Sequence, residues 1–89
     1  MKTYDIFLDV LPKLDLHGFD TLSAKVAVND FVLENSILKN EEILIIHGIG
    51  EGLVKKAVHE ALSKNKLVAS YKIANNNIGC TVVYLKNDK

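Results

Sequence analysis

Four successive apolar residues, Ile43-Leu44-Ile45-Ile46, run into His47-Gly48-Ile49-Gly50-Glu51-Gly52. An unbroken apolar run bounded by turn residues predicts a strand over 42–46 covered on both faces, as inside a parallel sheet. Beyond the glycines, Val54, Ala57, Val58, Ala61 and Leu62 recur at offsets of three and four. That spacing makes one buried stripe of a helix over 53–65 and leaves Lys55, Lys56, His59, Glu60, Ser63 and Lys64 toward solvent. Upstream, Ala24, Ala27, Val28, Phe31 and Val32 repeat the same offsets. They predict a helix over 22–35 with Asp20 or Thr21 as its N-cap. Residues 35–40 read as a turn-rich connection with Ile37 or Leu38 tucked in.

The remaining elements are strands. Leu14 and Leu16 alternate with Asp15 and His17, so a short strand over 13–16 sets Asp15 and His17 on one face, roughly 7 Å apart at their Cα atoms. Residues 67–74 and 80–85 alternate across a turn at Asn75-Asn76-Asn77 and read as a hairpin. Residues 3–10 are rich in β-formers, broken by Asp5 and Asp9 and closed by Pro12, and read as an N-terminal edge strand. The order is β-α-β-α-β-β, an α/β two-layer sandwich with a mixed sheet. Residues 1–12 form an extension or edge strand, and residues 13–87 form the domain.

Composition narrows the class of protein. The chain has 89 residues, enough for one modest core. Its 48% hydrophobic content argues against disorder. Eleven basic and eleven acidic side chains cancel to zero net charge, which weighs against strong non-specific nucleic-acid binding but leaves room for a local basic patch. The single cysteine, Cys80, precludes an internal disulfide. No stretch has the form of a signal peptide or a membrane span, so a soluble cytoplasmic protein with no membrane partner is expected.

The candidate chemistry lies at two His-Gly corners, His17-Gly18 and His47-Gly48, thirty residues apart. Each follows a strand and precedes a helix. A βαβ crossover makes the strands parallel and brings both corners and both helix N-termini to one sheet edge, where ligands of α/β sheets bind. Helix N-termini favour an anion, and glycines let backbone approach a phosphate. Two imidazoles there suit acid–base work near neutral pH, with Asp15 orienting His17. Gly18, Gly48, Gly50 and Gly52 are the candidate phosphate-contacting backbone, and Lys55 and Lys56 the candidate phosphate cations. The alternatives are structural histidines, helix-entry glycines and a solvated lysine face. The glycine run lacks the Lys-Ser/Thr of a P-loop and the spacing of a dinucleotide fingerprint. Two histidines, one aspartate and a distant cysteine do not make a convincing zinc set. His59 reads as a solvated surface residue.

The chain resembles the Smr, or small MutS-related, domain family. Leu14-Asp15-Leu16-His17-Gly18 matches the family's first motif, and Ile45-Ile46-His47-Gly48-Ile49-Gly50 its His-Gly-x-Gly motif. Asn77-Ile78-Gly79-Cys80-Thr81-Val82-Val83 matches its final glycine turn and strand. Ile49 stands where a lysine is frequent, and only Gly79 is kept where two consecutive glycines are usual. The resemblance implies nucleic-acid binding and, in many members, endonuclease activity on DNA or RNA, with association with ribosomes in some. By motif position, Asp15, His17 and His47 would form the catalytic centre and Gly48 and Gly50 the phosphate turn. No resident metal is assigned, although Mg or Mn could assist. The resemblance covers no MutS-like ATPase part, so no ATP is expected. A non-catalytic nucleic-acid- or ribosome-binding module is the alternative function.

Overall fold

The computed structural model describes residues 10–50, 52–75 and 77–86. Its elements are β1 (Lys13–Asp15), α1 (Thr21–Ile37), β2 (Glu42–Ile46), α2 (Leu53–Lys64), β3 (Val68–Ala74) and β4 (Asn77–Leu85). They form one mixed sheet in the order β1-β2-β4-β3. Strand β1 pairs parallel to β2, with Asp15 opposite Ile46, whereas β4 is antiparallel to both β2 and β3. The expected β-α-β-α-β-β sandwich is therefore present. Most of the expected extra edge strand, positions 3–9, lies outside the described residues.

The helices pack on one face of the sheet. Ala24, Val28 and Val32 of α1 and Val58, Ala61 and Leu62 of α2 close over Leu16, Ile43, Ile45, Val83 and Leu85. These are the residues that the helical offsets and strand alternation select. On the other face Leu44, Ala74, Cys80 and Val82 are also buried, with Leu11, Ile46 and Tyr84 packed against them. Burial on both faces explains the unbroken apolar run of β2.

Four details differ from the sequence reading. Helix α1 runs to Ile37, two residues beyond the expected end. Asn35, expected in a connection, is instead buried near its C-terminus. Its side-chain amide donates to the Phe31 carbonyl at 2.9 Å and its oxygen accepts from Asn40 Nδ2 at 2.8 Å. This local bonding lets a turn-prone residue stay helical. Ile37 and Leu38 are not tucked in but exposed, because the longer helix turns them away from the body. Strand β4 begins at Asn77, three residues early, because Asn77 already pairs with Ala74.

The two helices are also joined by polar contacts. Lys25 pairs with Glu60, and Asn65 Nδ2 donates to Asn29 Oδ1 at 2.9 Å. No described helix is long and apolar enough to cross a membrane.

Candidate nucleic-acid site

The parallel pairing of β1 and β2 puts both His-Gly corners at one edge. They line a cleft of about 500 Å³ together with Gly18, Phe19, Ile49, Gly50, Gly52, Leu53, Val54 and Lys55. The edge is held by backbone. Leu16 N–H donates to the Ile46 carbonyl at 2.8 Å, extending the β1–β2 pairing one residue past β1. His47 and Gly48 N–H both donate to the Gly79 carbonyl, at 2.9 and 3.0 Å. Gly79 must be small: a Cβ there would lie 3.3 Å from the Gly48 carbonyl carbon and 3.4 Å from its Cα. The final motif thus braces the central one.

Asp15 and His17 form a pair at the mouth of the cleft. Asp15 Oδ1 accepts the His17 backbone N–H at 3.0 Å and lies 2.5 Å from His17 Nδ1. A carboxylate accepts, so Nδ1 carries the hydrogen and Nε2 is left to face outward. The backbone N–H of His17, and then its ring, hold the Asp15 carboxyl below the usual range. The His17 side chain is 72% exposed. Its Nε2 stands over the glycine turn: a Cβ at Gly48, where φ is +84°, would be 3.9 Å from it.

His47 lines the same cleft but turns inward and is only 7% exposed. Its Nδ1 is 2.9 Å from the Gly48 carbonyl and its Nε2 is 2.8 Å from Thr81 Oγ1. Burial pushes its pKa down, partly offset by the Gly48 bond, with Lys55 lowering it further. The two imidazoles thus reach one edge but do different things there. His17 offers a nitrogen to the cleft, whereas His47 has both nitrogens committed within the fold.

The helix N-termini also differ. Asp20 caps α1, its Oδ1 accepting Ser23 N–H at 2.7 Å, and this bond lowers the Asp20 pKa. A carboxylate therefore already occupies the α1 terminus, and only α2 starts without a side-chain acceptor. There the N-cap is Gly52, with φ +83°, which offers no side chain to accept the first N–H groups. Lys55, in the first turn, lines both the cleft and a neighbouring groove, whereas Lys56 lines only that groove, with His59, Glu60, Ser63 and Tyr71.

His59 is not the solvated surface residue expected. It is half-buried, with Nε2 2.8 Å from Thr81 Oγ1 and its ring centroid 5.0 Å from that of Tyr71. Alternation along β4 held the clue. Thr81 shares a face with Val83 and Leu85, and a hydroxyl in that core needs partners. Phe19, Ile49 and Leu53, all exposed at the cleft, were also missed as candidate contacts. Among the described residues no group of three His, Cys, Asp or Glu side chains could hold a metal ion.

Comparison with known proteins gives the lineage. The model of the Smr domain family matches residues 14–86. Endonuclease MutS2 of Staphylococcus saprophyticus is 40% identical over 78 residues, covering 83% of this chain and 10% of the relative. Endonuclease MutS2 of Aquifex aeolicus is 40% identical over 76 residues, covering 82% of this chain and 10% of the relative. The chain thus spans about a tenth of the length of these relatives. The crystal structure of the Smr domain of Thermus thermophilus MutS2 superposes with a TM-score of 0.84 at 30% identity, covering 86% of this chain and 100% of that one. The fold is shared too with YdaL, a stand-alone small MutS-related protein from Escherichia coli, at a TM-score of 0.78 and 23% identity, covering 84% of this chain and 64% of that one. The chain belongs to the Smr domain family.

Proposed function

We propose that this chain binds a DNA or RNA strand across the cleft and cleaves a phosphodiester bond there. The observation that carries this reading is the Asp15–His17 pair, with Nε2 set over the Gly48 turn at the uncapped head of α2. The name Endonuclease MutS2 carried by the relatives supports it. In this reading a phosphate sits at the α2 N-terminus, held by its N–H groups, by Gly50 and Gly52, and by the Lys55 charge. His17 Nε2 exchanges a proton with the attacking or the leaving oxygen, and Asp15 holds the ring for that task. His47 contributes by holding the turn. Phe19, Ile49 and Leu53 offer apolar surface to sugars and bases. Among the described residues the donor set does not make a resident metal site. A divalent ion carried by the nucleic acid is compatible with this scheme.

A non-cutting module that binds nucleic acid or the ribosome is the second reading. The zero net charge and the commitment of both His47 nitrogens favour it. End-labelled RNA and supercoiled DNA incubated with the purified chain, with and without Mg or Mn, separate the two. Cleavage supports the nuclease. Salt-sensitive binding without cleavage supports the module.

A further inference from the structure

A line of hydrogen bonds leaves the cleft, passes through the interior and ends at the neighbouring groove beside α2. His47 Nδ1 contacts the Gly48 carbonyl at 2.9 Å, His47 Nε2 contacts Thr81 Oγ1 at 2.8 Å, and Thr81 Oγ1 contacts His59 Nε2 at 2.8 Å. Thr81 is fully buried. The two rings meet edge to face, with centroids 6.0 Å apart and planes at 87°. Beyond them His59 lies against Tyr71 and lines the second groove.

Counting hydrogens fixes the direction of this line. A carbonyl only accepts, so His47 Nδ1 must carry a hydrogen. The neutral ring then has a lone pair on Nε2, which takes the Thr81 hydroxyl hydrogen. A hydroxyl has only one hydrogen, so the remaining contact is a donation from His59 Nε2–H to Thr81 Oγ1. Both His47 nitrogens and the Thr81 hydroxyl are satisfied along this line, and no described buried side-chain N or O lacks a partner. The charged and titratable groups that face the pair are Lys55, Lys56 and Glu60 of α2 and Tyr71 of β3. Burial favours the neutral form of both rings. For His59 the neighbouring His47 and then Lys55 act in the same direction.

We propose that Thr81 and His59 are positioning residues for the cleft: they lock His47 as its neutral Nδ1–H tautomer and thereby pin the Gly48 peptide beneath His17. The consequence for activity rests on the cleavage reading above; the relay itself does not. The Gly48 peptide is the piece of backbone beneath the His17 nitrogen, so a freed His47 ring lets the reacting position drift. A shift of about 1 Å can cost on the order of 100-fold in rate.

The test is ring-nitrogen NMR of the ¹⁵N-labelled chain near neutral pH, beside single-turnover cleavage. In the wild type His47 reads as the Nδ1–H tautomer and His59 as the Nε2–H tautomer. Thr81→Val, close in shape but lacking the hydroxyl, releases His59 to a mixture of tautomers. It lowers the single-turnover cleavage rate by about 10-fold or more while the half-saturating protein concentration changes little. Thr81→Ser restores both readings. A wild-type His47 in the Nε2–H form, or a His59 in the Nδ1–H form, overturns the relay even if Thr81→Val does not fold. Tautomers and rate unchanged in a folded Thr81→Val overturn it as well. If the wild type cuts nothing, the cleavage reading falls, and the wild-type tautomers still decide the relay.

Discussion

Gly79 shows how much can turn on one missing methyl group. Its carbonyl takes two N–H donors from the His47-Gly48 corner, and it leaves that corner's backbone no room for a Cβ. A Cβ at Gly79 would meet Asn77 Oδ1 at 3.2 Å and the Gly48 backbone at 3.3 Å, and backbone cannot swing aside as a long side chain can. Gly79→Ala should therefore lower stability by about 1–3 kcal/mol, the scale of overpacking. Urea unfolding checks this, and a change within about 0.5 kcal/mol, the range of neutral surface substitutions, contradicts it. At this scale the sequence was legible where a residue's neighbours lie close in the chain. Asp15 and His17 are two residues apart on one strand, and their pairing follows from alternation. Thr81 and His59 were not read as partners, because the contact joins β4 to α2 and depends on how the helix rotates over the sheet. No periodicity encodes that rotation closely enough to say whether His59 points to water or to Thr81.

Among the elements, the decisive one is α2. Its glycine N-cap leaves the helix start without a side-chain cap, while α1 carries its own carboxylate at the equivalent place. Lys55 stands in the first turn of α2 and lines the cleft. Lys55→Ala should weaken nucleic-acid binding and reduce the slope of log K against log salt by about 1, the signature of one lost phosphate contact. Lys56→Ala, in the neighbouring groove, should change that slope less. Binding titrations over a range of salt concentrations measure both, and equal effects from the two lysines would count against a phosphate seat at the helix start. The parallel pairing of β1 with β2 was an assumption in the sequence, permitted by a thirty-residue spacing long enough for a strand–helix–strand crossover, and the register now shows it. The element ends were less legible. Helix α1 outlasts its stripe because Asn35 finds partners in Phe31 and Asn40, a local solution that a general dislike of asparagine in helices conceals.

At the scale of the whole molecule, the buried imidazoles tie stability to pH. His47 and His59 both have folded-state pKa values lowered from 6.5, chiefly by burial. The unfolded chain thus binds protons at these sites before the folded chain does. Their contribution to stability is fully present well above pH 6.5 and is lost as pH falls through that value toward the lower folded values. Asp15, Asp20 and Glu60, also lowered, extend the loss into the more acidic range. The melting temperature should accordingly be flat in mildly alkaline buffer and start to fall below about pH 6.5, before carboxylates titrate. In a folded His59→Gln variant the early part of that fall should shrink. A wild-type melting temperature that stays level down to the carboxylate range would contradict neutral burial of the pair. The whole fold also sets where charge can act. With zero net charge, attraction for a nucleic acid must come from the local field of the cleft rather than from the molecule at large.

The most direct test of a phosphodiester-cleaving cleft is the His17→Ala chain beside the wild type, read for both binding and single-turnover cleavage on the same labelled strand. His17 is exposed and outside the core, so its loss should leave the fold and the affinity nearly intact. The rate should fall by about 100-fold or more, the usual worth of a positioned proton-transfer group. Cleavage that persists at the wild-type rate would take the chemistry away from the Asp15–His17 pair and contradict the assignment.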